Sequence, residues 1–356
     1  MCRILGKALY ENSLLQNSRF QICSMYDQQT DADENLYFPS EYFRGYGIQK
    51  FRFFKEMVQK GRGFDVVMLS HVNLLPIGWM IKKISPKTRI ILLAHGIEIW
   101  YPLPARRRNM LANCDRIFAV SRFTADTIET VHEIPGEKIK VLNNCLDPFL
   151  PSESTGKKAG WLMQKYGIRP NDKVLMTLTR ISSKERYKGY EKVIAAMAAL
   201  VSGSSEHAEA SDMKYLIAGS YDDTEKQFLE EQIQKNGLIG KVLMPGYIAD
   251  EDLEAHFLLA DAYIMPSLKE GFGIVFIEAM HYGLPVIAGN RDGSVDALDK
   301  GGLGQLVDPD DNVALQHAMT EVLANPEGHQ PDPHRLKELF SYESYKNKLE
   351  EFISWG

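Results

Sequence analysis

Two glutamates flank a glycine-containing turn in the segment PSLKEGFGIVFIEAMHYGLPVIAG (266–289). Gly271 and Gly273 let a backbone approach a ligand closely, and the helix predicted to follow them begins with amides that lack internal partners. Such a helix start suits a phosphate or a sugar hydroxyl. Glu278, about one turn into the helix, is placed to accept two hydrogen bonds from a vicinal diol such as a ribose.

A second polar segment, TRISSKERYKGYEKVI (179–194), follows a buried strand and precedes a predicted helix. Arg180 and Lys188 therefore lie beyond the carboxyl end of a strand, where open parallel sheets bind ligands. Together the two cations suit a diphosphate and the charge that grows on a departing phosphate. A solvated basic loop is the alternative for this pair, and it is our interpretation of Lys184 and Arg186.

The elements that must position these residues are predicted by nine short apolar runs, each followed by a helical stretch. Runs that are apolar on both faces and separated by crossover helices are typical of parallel α/β sheets. We therefore predict two doubly wound α/β domains. The runs are 64–71, 89–96, 116–121, 139–144, 173–180, 214–220, 241–247, 261–267 and 285–290.

The periodicity lapses at DPFLPSESTGKKAG (147–160), which predicts the break between the domains. We place a first domain at 1–150, a second at 151–335 and a C-terminal helix at 336–356. An apolar stripe in the last segment predicts that this helix is packed. The polar stretch 202–212 predicts a mobile surface loop.

Composition excludes several classes of protein. A chain of 356 residues with 44% hydrophobic and 25% charged residues has the balance of a folded globular protein. Residues 1–150 hold 20 basic and 15 acidic side chains (+5), and the remaining residues hold 21 and 32 (−11). This distribution lacks the basic stripe that is typical of a nucleic-acid-binding protein. The longest apolar run, Val193 to Val201, is nine residues, too few to span a membrane.

The amino terminus carries Lys7 and Glu11 where a secretion signal would have an apolar core, so we expect a cytoplasmic protein. The cysteines have no paired spacing for zinc or a disulfide framework, and we predict buried thiols. They are Cys2, Cys23, Cys114 and Cys145.

Five features, in one order along nearly the whole chain, resemble the retaining GT-B glycosyltransferases of family 4. The features are NNCLD (143–147), Arg180 with Lys188-Gly189, PGYIADEDL (245–253), Glu270 and Glu278 around GFG, and EAMHYGLPVIA. The resemblance implies two Rossmann-like domains facing across a cleft, with the C-terminal helix packing back toward the first domain. It also implies that the C-terminal domain binds a nucleotide-sugar donor.

The resemblance assigns a role to each residue of the donor site. Glu270 is implied to bind a hydroxyl of the donor sugar and to act in catalysis. The implied donor-binding residues are Arg180 and Lys188 for the diphosphate, Glu278 for the ribose, Gly271, Phe272, Gly273 and Ile274 for phosphate and sugar, and Gly246 and Tyr247 near the base.

Three residues of the first domain follow predicted strands. His95, in LLAHGIEIW, matches the family's histidine that faces the donor sugar, and it is the second implied catalytic residue. His71, at the end of an earlier strand, is an acceptor-side candidate, and Arg122 is a candidate for an acceptor phosphate. Ser121, beside Arg122, is equally well explained as a helix cap.

The amino-terminal domain departs from the family pattern. The family begins with a strand, a glycine-rich loop and a helix, whereas here the segment from Arg3 to Leu15 is already predicted to be the first helix, and FQICSMYD (20–27) the second strand. The first strand of a doubly wound sheet is central, so its absence predicts a gap in the sheet and exposed apolar surface.

We expect a metal-independent enzyme that needs no cofactor, because no Asp-x-Asp lies on a strand-end loop. Asp222–Asp223 and Asp310–Asp311 are typical of turns and helix starts, and Asp31 and Asp33 lie in a polar stretch. Arg180 and Lys188 would then neutralise the phosphate charge.

The expected function is transfer of a hexose from a UDP- or GDP-sugar to a hydroxyl of a glycan or lipid-linked glycan, with retention of configuration. An inactive GT-B protein that only binds the nucleotide sugar is the alternative, and a nucleotide-sugar epimerase fits the glutamate pair less well. We also expect weak contact with an anionic membrane through Arg106–Arg108, aided by Trp79, Trp100 and Tyr101. A solvated helix face beside core tryptophans is the alternative for these residues.

Overall fold

The computed structural model describes residues 1–33, 35–151, 158–203 and 212–354. The chain forms two compact units: unit 1 comprises Met1–Pro148 and Phe340–Gly356, and unit 2 comprises Phe149–Leu339. The divisions thus lie before Phe149 and before Phe340, whereas the sequence placed them after residues 150 and 335.

Unit 1 is built from short parallel strands and the helices that connect them. Its strands are β1 Ile22–Ser24, β2 Phe43–Gly45, β3 Val66–Leu69, β4 Arg89–Ala94, β5 Arg116–Ala119 and β6 Ile139–Val141. Its helices are α1 Cys2–Leu15, α2 Lys50–Gly61, α3 Leu75–Ile84, α4 Ala105–Ala112, α5 Arg122–His132 and, at the carboxyl end, α14 Tyr342–Ile353.

The strands of unit 1 form two separate sheets. Strand β1 pairs with β2, while β3, β4, β5 and β6 form a second sheet in that order, and every pairing is parallel. The predicted gap is therefore confirmed, because the described strands divide into two sheets and neither β1 nor β2 pairs with any of β3 to β6.

Helix α14 packs on α1, as expected for the C-terminal helix. The Tyr342 hydroxyl donates to Glu11 Oε2 at 2.9 Å, and the Lys346 ammonium lies 2.9 Å from the same oxygen. Burial by itself raises the pKa of Glu11, but hydrogen bonds from Lys346, Lys7 and Tyr342 outweigh it and hold the pKa at about 2. The Phe352 ring lies 5.8 Å from that of Phe118, so the helix also covers β5.

Unit 2 is a single six-stranded parallel sheet with helices between its strands. The strands are β7 Lys173–Leu178, β8 Met213–Ala218, β9 Val242–Gly246, β10 Ala262–Met265, β11 Val286–Gly289 and β12 Gln305–Val307. The helices are α6 Gly160–Tyr166, α7 Tyr190–Ser202, α8 Asp223–Lys235, α9 Asp250–Leu259, α10 Ile274–His281, α11 Ser294–Ala297, α12 Asn312–Ala324 and α13 Pro333–Phe340.

The strand order in unit 2 is β12-β11-β10-β7-β8-β9. Strands β8 and β9 therefore lie in turn on one side of β7, and strands β10, β11 and β12 lie in turn on its other side. Strands β8, β10 and β11 are almost wholly buried, as their apolar runs predicted. Together with the two sheets of unit 1, this confirms the predicted parallel α/β architecture.

The sequence missed strands β2 and β12. Strand β2 is Phe43-Arg44-Gly45 and strand β12 is Gln305-Leu306-Val307, so each has at most two apolar residues and no apolar run marks it. Part of the predicted linker (152–157) and most of the predicted surface loop (204–211) lie outside the described residues, as does Trp355.

The prediction of buried thiols holds for two cysteines. Cys114 and Cys145 are buried, and burial raises the pKa of each thiol to about 12. Cys23 is half-buried and Cys2, the first residue of α1, is exposed, so the prediction was wrong for Cys2. Across the described residues, none of the helices is both long enough and apolar enough to cross a bilayer.

Candidate functional site

The loops after β7 and β10 are brought side by side by the sheet of unit 2. The two strands pair directly, with Leu175 opposite Ala262 and Met176 opposite Tyr263. The chain leaves this pair in opposite directions, which makes it the point where strand order reverses. In doubly wound sheets the crevice beyond the carboxyl ends of such a pair is where ligands bind. The segments 179–189 and 266–273 line this edge.

Lys188 and Glu270 meet at this edge. Their side chains form an ion pair, with only 13% and 16% of each exposed. The Leu268 amide donates to the Tyr187 carbonyl at 2.8 Å and so ties the two loops together beside the pair. The structure thus joins two residues to which the resemblance gave separate ligands, a diphosphate and a sugar hydroxyl.

Arg180 lies on the rim of the same loop. Its side chain is 74% exposed and pairs with Glu185, whose Oε2 accepts from the Arg180 Nε at 3.0 Å. The hydrogen bond from Arg180, helped by the charge of Lys188, lowers the pKa of Glu185. Arg180 is therefore held by a local carboxylate and points to solvent, whereas Lys188 is shielded.

The glycine turn has the predicted form. Gly273 has a φ of 86° and caps α10, and a Cβ there would lie 2.3 Å from the Phe276 ring, so only glycine fits without rearrangement. Phe272, next to it, is buried and anchors the turn. Helix α10 runs from Ile274 to His281, and Glu278 lies half-buried on it.

Asp292 holds the Glu270 loop in place, and the sequence analysis missed it. Its buried Oδ2 accepts from the Glu270 amide at 2.6 Å and from the Ser267 hydroxyl at 2.8 Å. The Gly293 amide donates to the Glu270 carbonyl at 2.8 Å, so both peptide groups of Glu270 are engaged. Burial raises the pKa of Asp292 to about 6 despite these bonds. Its position just after β11, the strand beside β10, was the available signal.

Arg186 corrects an expectation. We predicted a solvated side chain, but its Nε lies 2.9 Å from Oε2 of Glu225, a carboxylate with no exposed surface, and its guanidinium carbon lies 3.7 Å from the centre of the Phe228 ring. The reason is that a buried carboxylate needs a cationic partner. The Tyr190 hydroxyl donates to the same carboxylate at 2.8 Å. Lys184 is exposed, as predicted.

Gly246 and Tyr247 lie farther along the same sheet edge. Gly246 ends β9, two strands from β7, with a φ of 81°, and its carbonyl accepts from the Gly219 amide at 2.8 Å. The Tyr247 side chain is 71% exposed. The two residues are therefore placed at the rim of the edge and not beside the Lys188 and Glu270 pair.

The three candidates of unit 1 follow adjacent strands. His71 follows β3, His95 follows β4, and Arg122 begins α5 after β5, so parallel pairing brings them to one edge of one sheet. His95 Nε2 lies 2.8 Å from the Ser70 carbonyl. Because a carbonyl only accepts, Nε2 must carry a proton, and in the neutral ring Nδ1 is then the basic nitrogen.

His71 and Ser121 have clear structural roles. The His71 Nδ1 accepts from the Asn73 amide at 3.0 Å, which caps a short turn ahead of α3. The Ser121 hydroxyl accepts from the Thr124 amide at 3.2 Å, which confirms the helix cap that the sequence allowed. Hydrogen bonding of the His71 ring to its own turn weakens its assignment to an acceptor.

The aromatic residues expected at a membrane are not all at the surface. Trp79 and Trp100 pack against the core of unit 1, and the Trp100 indole donates to Thr124 Oγ1 at 3.1 Å. This packing supports the alternative that the sequence left open, in which both tryptophans belong to the core. Tyr101 is 57% exposed, and Arg106–Arg108 form an exposed face of α4.

The described residues hold no group of three or more His, Cys, Asp and Glu side chains that would bind a metal ion. Asp222 and Asp311 cap α8 and α12, as predicted for aspartates at helix starts.

Family models match both units. The model described as glycosyl transferases group 1 matches residues 162–339, within unit 2, and the model of glycosyltransferase family 4 matches residues 21–148, within unit 1. The chain belongs to the group 1 glycosyltransferases. The family resemblance stated from the motifs is thereby confirmed.

Curated relatives from this family are similar over part of their length. An uncharacterised glycosyltransferase of Methanocaldococcus jannaschii is 27% identical over 185 residues, which is 51% of this chain and 44% of that protein. A GDP-mannose-dependent α-(1-6)-phosphatidylinositol monomannoside mannosyltransferase of Mycolicibacterium smegmatis is 28% identical over 253 residues, 67% of this chain and 62% of that enzyme. The chain thus spans less than two thirds of either relative.

Solved glycosyltransferase structures share the fold. HepE of Anabaena, solved in complex with UDP, gives a TM-score of 0.78 at 17% identity, covering 98% of this chain and 95% of HepE. A glycosyltransferase of Rickettsia africae gives 0.76 at 18% identity, covering 98% and 93%. These matches establish the GT-B fold for this group 1 glycosyltransferase.

The raised pKa of Asp292 predicts a specific pH dependence of stability. Because the pKa in the folded protein is about 6 and that of an unfolded aspartate about 4, its contribution to stability is complete below about pH 4 and declines as the pH rises through 6. The free energy of unfolding of the wild type minus that of Asp292→Asn should therefore fall by about 2–3 kcal/mol between pH 4 and pH 7. Denaturant unfolding at a series of pH values measures this difference.

The comparison with Asp292→Asn is needed because burial also lowers the pKa of His256, which changes stability with the opposite sign in both proteins. A second variant, the exposed Asp223→Asn, reports the effect of removing a surface carboxylate from unit 2. A wild type minus Asp292→Asn difference that is constant from pH 4 to pH 7 would contradict the assigned shift.

Proposed function

We propose that this protein transfers a hexose from a UDP- or GDP-sugar to a hydroxyl of a glycan or lipid-linked glycan, with retention and without a metal ion. One observation carries the proposal. The structure places a shielded lysine and a shielded glutamate together at the strand-order reversal of unit 2, between two loops that are tied to each other. This is where a doubly wound sheet binds a ligand, and the pair supplies one group for phosphate and one for hydroxyls.

When a donor binds, Lys188 and Glu270 would separate, and each would contact a different half of the donor. The diphosphate oxygens would accept from Lys188, and Glu270 would accept from a hydroxyl of the sugar. Each side chain thus exchanges one charge-assisted contact for another, so the pair holds both groups in place before the donor arrives. The clamp of Asp292 on the Glu270 backbone supports this arrangement, since the loop cannot relax when the pair separates.

The remaining donor contacts are assigned from the family. The amides of Gly271, Phe272, Gly273 and Ile274 would contact phosphate and sugar, Glu278 the ribose, and Gly246 and Tyr247 the region of the base. Arg180 reaches the diphosphate only if it leaves Glu185, so we assign the main phosphate contact to Lys188. His95 is assigned to the donor sugar.

Retention requires that the new bond form on the face from which the old bond leaves. The acceptor oxygen bonds to the anomeric carbon as the bond from that carbon to the phosphate oxygen breaks, and the acceptor proton passes to the leaving phosphate. Lys188 would stabilise the charge that develops on that phosphate. Glu270 and His95 would orient the sugar.

Similar proteins whose nucleotide sugars are named support the choice of UDP or GDP donors. HepE has been solved with UDP-glucose, at a TM-score of 0.75 to this chain, and the mycolicibacterial relative is named for GDP-mannose. The same relative is named for a phosphatidylinositol acceptor, which supports a lipid-linked acceptor here. A protein that binds the donor without transfer is the alternative, and a transfer assay with UDP-glucose and GDP-mannose separates the two.

Lys188→Ala should weaken binding of UDP or GDP by about ten- to a hundredfold, because a charge-assisted contact is lost. Isothermal titration measures it, and Lys184→Ala, an exposed lysine of the same loop, is the matched control and should keep its affinity. Since Lys188→Ala leaves Glu270 without its partner, the double variant with Glu270→Gln removes that repulsion. Recovery of full affinity in the double variant would mean that Lys188 is not the phosphate contact.

Glu270→Gln alone separates the two halves of the pair. It should bind the nucleoside diphosphate at least as tightly as the wild type, because Lys188 is released, and it should transfer sugar far more slowly. Equal losses of UDP affinity and of transfer would contradict the assignment of Glu270 to the sugar.

Chelation tests the metal-independent chemistry. Treatment with EDTA should leave both nucleotide affinity and transfer unchanged, because Lys188 is proposed to neutralise the phosphate charge. Loss of transfer on chelation, restored by Mn²⁺ or Mg²⁺, would overturn this part of the proposal.

We further propose a cytoplasmic protein that contacts an anionic membrane weakly through Arg106–Arg108. Each arginine near such a surface contributes about 1 kcal/mol, so attachment should be salt-sensitive. The protein should float with phosphatidylglycerol vesicles at low salt and not at high salt. The variant with Arg106, Arg107 and Arg108 changed to Glu should not float, and its nucleotide affinity should be intact. Flotation of this variant like the wild type would exclude α4 as the contact.

A further inference from the structure

Glu185 is a shielded carboxylate that binds the exposed cation at the rim of the candidate donor site. Its side chain is only 14% exposed, whereas that of its partner Arg180 is 74% exposed. Two nitrogens of the guanidinium contact it, since Nε donates to Oε2 at 3.0 Å and Nη2 donates to Oε1. This two-point contact fixes the direction of the Arg180 guanidinium in the free protein.

The backbone of the loop holds Glu185 in a tight turn. Its amide donates to the Ser182 carbonyl at 2.8 Å, and its carbonyl accepts from the Lys188 amide at 2.9 Å. The Ser182 hydroxyl donates to Asp222, the N-cap of α8, at 2.9 Å. Glu185 is therefore fixed in place, and the long, exposed side chain of Arg180 is the member of the pair that is able to move.

Two further groups stabilise the Glu185 carboxylate independently of Arg180. The hydrogen bond from Arg180 is the main cause of the lowered pKa of Glu185, but the charge of Lys188 and a hydrogen bond donated by the Tyr187 hydroxyl lower this pKa as well. A shielded carboxylate without any partner is costly. Because Tyr187 remains bonded to it, Glu185 avoids this cost when Arg180 leaves.

The two cations of the site thus each have a carboxylate of their own, Glu270 for Lys188 and Glu185 for Arg180. A phosphate group competes for Arg180 because the guanidinium fork binds phosphate as well as carboxylate through two hydrogen bonds. We propose that Glu185 is a positioning residue, which holds Arg180 at the rim in the free protein and releases it to the diphosphate of the donor. This exchange rests on the proposed function, because it needs a nucleoside diphosphate at this edge.

The exchange makes Glu185 a competitor of the product as well as of the donor. After transfer of the sugar, the nucleoside diphosphate is still bound to Arg180. Glu185 lies next to the guanidinium and recaptures it as the diphosphate leaves. Glu185 therefore weakens the binding of the free nucleoside diphosphate and speeds its release.

Titration calorimetry with UDP and with GDP tests the exchange in a double-mutant cycle. Glu185→Gln should bind the nucleotide about two- to tenfold more tightly than the wild type, because Arg180 no longer has to leave a charged partner. Arg180→Gln should bind it more weakly, because one phosphate contact is lost. In the Arg180→Gln background, Glu185→Gln should change the affinity much less than it does in the wild type.

Tyr187→Phe should have the opposite effect to Glu185→Gln. It removes the hydrogen bond that Glu185 keeps when Arg180 leaves, so it should weaken nucleotide binding about two- to fivefold. In the Glu185→Gln background the same change should have little effect. Asp223→Asn, which removes an exposed carboxylate of α8, is the control and should leave the affinity unchanged.

The expected gain in affinity separates this role from a structural one, because a damaged loop would bind the nucleotide more weakly. Weaker binding by Glu185→Gln, or an equal effect of this change with and without Arg180, would overturn the exchange. The assignment of Lys188 to the diphosphate would then still stand. Absence of binding of both UDP and GDP by the wild type would overturn the exchange together with the proposed function.

Discussion

The parallel pairing of β7 with β10 is the constraint on which the candidate donor site depends. These strands are distant in sequence, because β8 and β9 lie between them in the chain and occupy the other side of β7 in the sheet. Because both strands end at the same edge, the loop that carries Lys188 and the loop that carries Glu270 must emerge together. The hydrogen bond between Leu268 and Tyr187 then fixes their separation.

The charges at this edge balance one another. Two largely shielded charges, Lys188 and Glu270, neutralise each other, and the buried Asp292 has a raised pKa because the Glu270 charge adds to its burial. Arg186 of the same loop pairs with Glu225, whose carboxylate has no exposed surface. Pairing matters most for the shielded groups, since an unpaired buried charge costs several kcal/mol. The proposed donor therefore enters a site whose charges are already arranged.

Unit 1 differs from unit 2 because its described strands form two sheets and not one, and β1 and β3 do not pair with each other. The helix pair α1 and α14 stays packed because Glu11 accepts from Tyr342 and binds Lys346. Glu11 thus links the first helix of unit 1 to the last one, 331 residues later in the chain.

Local sequence patterns predicted ten of the twelve strands that the structure describes, and the residue types identified the chemical groups at the site. Apolar runs such as 173–178 and 213–218 predict strands because a strand buried on both faces needs apolar side chains on both. Gly273 predicts a turn because the φ there favours glycine. Only the tertiary structure decided which charges meet. Lys188 pairs with Glu270, 82 residues away, and Arg186 pairs with Glu225. Asp292 accepts a hydrogen bond from the Glu270 amide. Such contacts depend on strand order and on side-chain burial, and no local pattern in the sequence records either one.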